Sequence, residues 1–351
     1  MTMENSIQAD SKPEPQELPW QEVVAKYRYP NLKSSIWQVV NSMVPYFVLC
    51  YLMYRSLEIS YWLTLLLAIP TAGFLIRIFI IFHDCGHGSL FKSKKVNDIV
   101  GSLTGLLVFT PYFQWRKNHA IHHANAGDLD QRGTGDVWTL TVKEYLASPF
   151  KKRVAYRIYR NPLGMFILGP LFGLLISQRF VTSSSKKKER YSVYGTNLGI
   201  LGIILLMSLT IGIKTFMMIQ LPIVMVGFMA GFWLFYVQHQ FEGVYWERHE
   251  KWDYLTEALE GSSFYKLPKV LQWFTGNIGF HHIHHLNPRI PNYNLEKCYQ
   301  ENSIFQSVKP ITIRASLKSL KFRLWDEEAR QMVGYKVIKA YRDKQVAASF
   351  Q

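Results

Sequence analysis

The chain has 351 residues, of which 48% are hydrophobic and only 19% charged, and its 40 Lys and Arg against 25 Asp and Glu give a formal charge of +15. The 10 Trp, 20 Tyr and 22 Phe, together with long apolar runs, exclude intrinsic disorder. Three isolated cysteines, Cys50, Cys85 and Cys298, exclude a disulfide-stapled secreted domain and fit a reduced, cytosol-facing protein.

Residues 1–19 are rich in Pro, Glu and Gln and have no basic start followed by an apolar core, so no cleavable leader is expected. Six stretches further on lack Asp, Glu, Lys and Arg: 34–54, 59–76 (continuing past Arg77 to Phe82), 99–115, 161–178, 191–213 and 215–241. A helix needs about 20 residues to cross a hydrocarbon core of about 30 Å. The first, second, fifth and sixth stretches meet that length. The third is interrupted by Pro111, and the fourth by Pro162 and Pro170.

Charge decides between four and six crossings. Between Gly88 and Gly195 there are 17 Lys and Arg against 6 Asp and Glu, including Lys151-Lys152-Arg153 and Lys186-Lys187-Lys188. Positive loops stay on the cytoplasmic side. Four crossings keep all of this charge inside, leave short external turns at 55–58 and around Lys214, and put both termini in the cytoplasm. Stretches 99–115 and 161–178 then lie in the interface or dip into it. The expected architecture is an all-α membrane protein, with four transmembrane helices as two hairpins, in-plane helices and a cytoplasmic histidine-rich cap. Along the chain this gives a polar tail over 1–30, a first hairpin over 31–82, a cytoplasmic region over 83–190, a second hairpin over 191–238 and a C-terminal cap of helices and loops over 239–351.

The 11 His are clustered. His83 and His87 stand at i, i+4. His119, His122 and His123 stand at i, i+3, i+4, and His281, His284 and His285 repeat that spacing with His282 between them. Residues three and four apart share one helix face, and neutral imidazole suits Fe, Zn, Cu and Ni. One such pair is more often structural than not; three clusters are not a chance pattern. His83 follows the run ending at Phe82 and His239 follows the run ending at Gln238, so all the clusters fall on the same expected side of the membrane. No Glu-x-x-His, His-Glu-x-x-His or suitable Cys pair occurs, which argues against a carboxylate di-iron bundle, a zinc protease of that type and an iron–sulfur site. So many His exceed one tetrahedral ion. Two metals and an open, oxygen-activating iron centre fit better than structural zinc.

His83-Asp84-Cys85-Gly86-His87, His119-Ala120-Ile121-His122-His123 and His281 to His285 resemble the three histidine boxes of the integral-membrane fatty acid desaturases. The four-residue step of the first box resembles the acyl-lipid branch. Arg132-Gly133-Thr134-Gly135-Asp136 and Gly276-Asn277-Ile278-Gly279 are similar to the Gram-positive delta-5 phospholipid desaturases. The resemblance spans about residues 34 to 335. It implies a non-haem centre of two Fe held by His83, His87, His119, His122, His123, His281, His284 and His285. His239 occupies the place of a further family histidine, whereas His282 falls on a variable position and His249 matches nothing. Beyond these ligands no catalytic residue is expected.

Removing two hydrogens from an unactivated methylene pair needs an oxidant made from O2, since no base can deprotonate an alkane; the protein supplies an apolar channel that sets which carbon reacts. Span 215–238 and the segment from Tyr245-Trp246 to Trp252-Tyr254 are candidate walls. No fused cytochrome b5 motif is present, so a separate carrier such as ferredoxin or flavodoxin is expected. Lys151, Lys152, Arg153, Lys186, Lys187 and Lys188 are its candidate docking residues, or else they serve orientation and anionic headgroups. The expected substrate is the acyl chain of a membrane phospholipid in a bacterial cell membrane, with the active site cytoplasmic. A hydroxylase or ketolase of the same superfamily is the rival enzyme. A metal-ion transporter is the rival of another class, but it would hold its ligands at mid-membrane depth. A nucleic-acid partner is not expected, because the basic residues flank lipid-facing segments.

Overall fold

The computed structural model describes residues 20–348, so residues 1–19 of the polar tail lie outside the described residues. Four helices are long and apolar enough to cross a membrane: Leu32–Ser56, Tyr61–His87, Lys187–Thr210 and Ile213–His239. They form two helical hairpins joined by short turns. Polar residues fix where the first two helices begin. The Asn31 side chain accepts from the Ser34 amide at 3.1 Å, and Ser60 accepts from the Trp62 amide at 3.3 Å, each supplying a partner for an otherwise unpaired first-turn N–H.

The second span, Tyr61–His87, is the centre of the fold. It packs against the first span, the fourth span and the helix Lys94–Leu107. Its Ile78, Ile81, Phe82 and Cys85 are fully buried and form one core with Leu90, Val108 and Tyr112. The third span is peripheral, with Leu198, Leu201, Leu205, Leu206 and Leu209 exposed along its length. Such a helix is covered by lipid rather than by protein.

Stretch 99–115 is not one element. Helix Lys94–Leu107 ends before Pro111, and a separate helix, Tyr112–Asn125, starts after it. The turn between them holds Phe109 at φ 54°, and the Tyr112 hydroxyl donates to the Cys85 carbonyl at 2.6 Å. Stretch 161–178 is likewise broken: Phe150–Tyr159 and Gly164–Arg179 together are apolar and long enough for a fifth crossing but bend by 73°. The bend lies where Pro162 interrupts the helix.

The cap is helical with two small sheets, where helices and loops alone were expected. Leu140–Thr141 pairs in parallel with Leu324–Asp326, which pairs antiparallel with Gln331–Val333, and Phe264–Lys266 pairs in parallel with Pro310–Thr312. Strands of two or three residues are too short to display a period of two.

Candidate metal centre

The helix ends bring the histidines together. His83 and His87 occupy the last turns of the second span, and His239 ends the fourth. His119, His122 and His123 lie on helix Tyr112–Asn125, and His281, His284 and His285 on the short helix His281–Leu286. Two close approaches of backbone position the last two helices. Gly135 has φ +79°, and a Cβ there would stand 3.0 Å from the Cβ of His122; at Gly279 a Cβ would stand 2.4 Å from the carbonyl oxygen of Tyr265, whose amide donates to the Gly279 carbonyl at 2.7 Å. Glycine is the residue that permits both.

The nine histidines of the three boxes and the fourth span gather in one buried cluster with two centres. His83, His87, His119, His123 and His284 place one nitrogen each within 4.8 Å of one another, and so do His122, His239 and His285. His281 adjoins the second group, its Nε2 2.9 Å from that of His239. The groups touch: the His123 and His285 rings stack at 4.2 Å. His282, by contrast, points away into an aromatic pocket of Phe264, Tyr299 and Phe305. His249 is at the surface with its Nδ1 2.6 Å from Asp128.

The donor set fits metal. His119 and His123 face each other through Nε2 at 3.2 Å, His123 and His284 at 3.1 Å, and His122 and His239 at 3.2 Å. Two imidazoles bound to one ion at about 2.1 Å stand roughly 3.0–3.4 Å apart, the separation found in all three pairs. Nε2 of His87 and of His285 is buried with no protein partner. Burial, reinforced by the neighbouring histidines, holds His119, His123, His281, His284 and His285 well below the ordinary imidazole range. They are neutral at pH 7, the form that binds metal.

Two carboxylates, Asp84 and Asp136, hold rings from behind, and a third, Glu257, stands near His285 without a hydrogen bond to it. Asp84 Oδ1 lies 3.1 Å from His83 Nδ1, while its Oδ2 accepts from the backbone and side-chain N–H of Asn292 at 2.7 and 2.8 Å. Asp136 Oδ1 lies 2.6 Å from His122 Nδ1. Glu257 Oε2 is 3.4 Å from His285 Nδ1; burial pushes the Glu257 carboxyl well up, and the Ser262 hydroxyl opposes that shift. An acceptor on Nδ1–H leaves the Nε2 lone pair for a metal. The helical spacing that marks the histidines does not mark any of the three. Asp84 and Asp136 lie inside the quoted motifs, whereas Glu257 carries no local signal.

Around the cluster, Trp115 stacks on His119 at 4.3 Å and Phe235 packs on His122 and His239 at 5.3 and 5.2 Å. Phe235 belongs to the expected wall, span 215–238; Trp115 was not anticipated. Of the aromatic cap segment, Trp246 stacks on Trp325 in the cap core, and Tyr254 donates to the His285 carbonyl at 2.8 Å. The basic clusters are exposed, except for the half-buried Arg153. Lys186, Lys187 and Lys188 begin the third span beside helix Tyr112–Asn125, where Lys188 meets Asp98 at 3.3 Å and Lys117 donates to the Ser184 carbonyl at 2.5 Å. Lys151, Lys152 and Arg153 lie on helix Phe150–Tyr159.

A four-span helical protein with a buried polyhistidine centre at the ends of its spans belongs to a narrow class of membrane oxidoreductases. The profile of the fatty acid desaturase family matches residues 60–305. A Bacillus subtilis (strain 168) protein named fatty acid desaturase is 51% identical over 316 residues, 90% of each chain. The sn-1 oleoyl-lipid 12-desaturase of Anabaena variabilis is 30% identical over 71% of this chain and 72% of its own. The sn-1 acyl-lipid omega-3 desaturase (ferredoxin) of Nostoc sp. (strain 36) is 28% identical over 67% and 64%. The chain belongs to the fatty acid desaturase family.

Proposed function

We propose that the protein desaturates fatty acyl chains of membrane phospholipids, using O2 and introducing one cis double bond, at delta-5 by the resemblance of its motifs. The observation that carries this reading is the pair of adjoining histidine groups, five and three strong, with His281 beside the second. His83, His87, His119, His123 and His284 would hold one iron, and His122, His239, His285 and His281 the other. Such a centre supplies the O2-derived oxidising power that an unactivated C–H bond requires. The chain's own residues do the rest. Asp84 and Asp136 fix ring orientation, while Trp115 and Phe235 keep the centre dry and apolar. The apolar spans beneath it align the acyl chain. The acyl-lipid names of several relatives support a lipid-linked substrate.

The reading extends to topology and to the donor. Histidines and basic clusters face the cytoplasm of a bacterial cell, and electrons arrive from ferredoxin or flavodoxin at Lys151, Lys152, Arg153, Lys186, Lys187 and Lys188. The test is expression in a host without desaturases, followed by lipid analysis with and without oxygen. Mono-unsaturated phospholipid chains that depend on oxygen are expected. Hydroxylated lipids in their place would assign the protein to the rival chemistry.

A further inference from the structure

A cavity of about 500 Å³ opens beside the first two spans. It is lined by Arg77, the one charge within the apolar run 59–82. Arg77 is 7% exposed. Its guanidinium stacks on the Trp273 ring at 4.0 Å and donates to the Trp273 carbonyl. Its Nε and Nη2 otherwise reach only Asn41 Oδ1, at a long 3.4 Å. Among the described residues no carboxylate stands within 4.0 Å of it. A buried cation without an anion is costly, and a guanidinium fork matches phosphate oxygens two at a time.

The rest of the cavity points the same way. Lys269 and Glu296 form an ion pair at its edge. With Arg77 they are the charged residues of the lining, so one positive charge is left unmatched. The mouth is aromatic and apolar: Trp37 and Trp273 line it while being 65% and 41% exposed, and Val270 and Leu271 of helix Lys269–Phe274 are exposed next to them. Tryptophan at such a rim marks the membrane–water boundary.

The cavity is tied to the histidines by a shared helix and a side-chain relay. Arg77 precedes His83 by six residues on one helix, about 9 Å along its axis. Asn292, another lining residue, donates to Asp84, which meets His83. We propose that this cavity binds the phosphodiester headgroup of the glycerophospholipid substrate, with Arg77 as the principal phosphate contact and Lys269 as the second. The proposal rests on the acyl-lipid reading above. It makes the ester end of the chain, not the methyl end, the nearer to the metal centre.

The test is binding of short-chain phosphatidylglycerol to the metal-loaded full chain in detergent, by calorimetry. The diacylglycerol with the same chains and inorganic phosphate alone are measured beside it. Phosphatidylglycerol should bind at least about tenfold more tightly than the diacylglycerol. Arg77→Gln should cut that preference roughly tenfold, and Lys269→Gln, at an exposed position, about threefold. Should Arg77→Gln fail to fold, Lys269→Gln and the headgroup comparison carry the test. Equal binding of the two lipids, or no loss of preference in Lys269→Gln, overturns the site. Inorganic phosphate binding as tightly as the phospholipid overturns the lipid assignment in favour of a soluble anion. Binding is read without turnover, so a protein that prefers the phospholipid yet desaturates none of it refutes the function and not the cavity.

Discussion

Removing the carboxylate behind His122 should weaken one metal position and spare the other. Asp136 Oδ1 accepts from His122 Nδ1 at 2.6 Å, and the His122 ring is almost wholly buried. That contact selects the tautomer whose Nε2 faces His239. A hydrogen bond to a charged acceptor in such a place is worth about 1.5–3 kcal/mol. If it acts wholly through the ligand, Asp136→Ala lowers affinity about 10- to 100-fold. Asp136→Asn keeps an acceptor without the charge and should fall between. The assay is chelator competition on purified protein, counting iron per chain at rising chelator concentration. Wild type should release its metal in a narrow range, and Asp136→Ala should surrender one equivalent early and hold the second. Asp128→Asn, which strips the carboxylate from the surface pair with His249, should match wild type. An Asp136→Ala protein that retains both equivalents against the same chelator would refute the reasoning.

Acid should destabilise the metal-free protein, because its depressed buried histidines outnumber the raised Glu257 carboxyl, whose protonation works the other way. Burial pushes His282 down to about 3, so below about 6.5 the unfolded chain binds its proton first and stability falls with pH. His282 alone should cost about 1.4 kcal/mol at pH 5.5, and a melting temperature unchanged between pH 7.5 and 5.5 would count against this. Neutralising Lys151, Lys152 and Arg153 should raise the KM for ferredoxin, leave kcat and iron content near wild type, and flatten the salt dependence of turnover; identical KM values and salt responses would remove docking from that cluster. A cysteine placed at Ser184 should be shielded from an impermeant thiol reagent in intact cells, whereas one at Leu57 should react. Reversed labelling would overturn the cytoplasmic placement.

The box histidines are legible in sequence because helical spacing is a local property. His119, His122 and His123 share a face of one helix whatever that helix packs against. The four long spans are legible for a related reason, since lipid disfavours charge over about 20 residues and writes its requirement into composition. Legibility ends where a role depends on a distant partner. Glu257 reaches His285 across 28 residues of cap, from a π-helical turn that no periodicity announces. Asn292 reads as an ordinary first-turn residue until the fold sets it against both Asp84 and Gln38. Arg77 is visible in the sequence only as a blemish in an apolar run, and one Arg near a span end ordinarily extends its head to the interface. The structure gives it another environment: a stacked Trp273, a long contact to Asn41 and a cavity wall. A cation retained there against its desolvation cost implies an anion that shares the site, and on the lipid side of this fold the anion within reach is a headgroup phosphate.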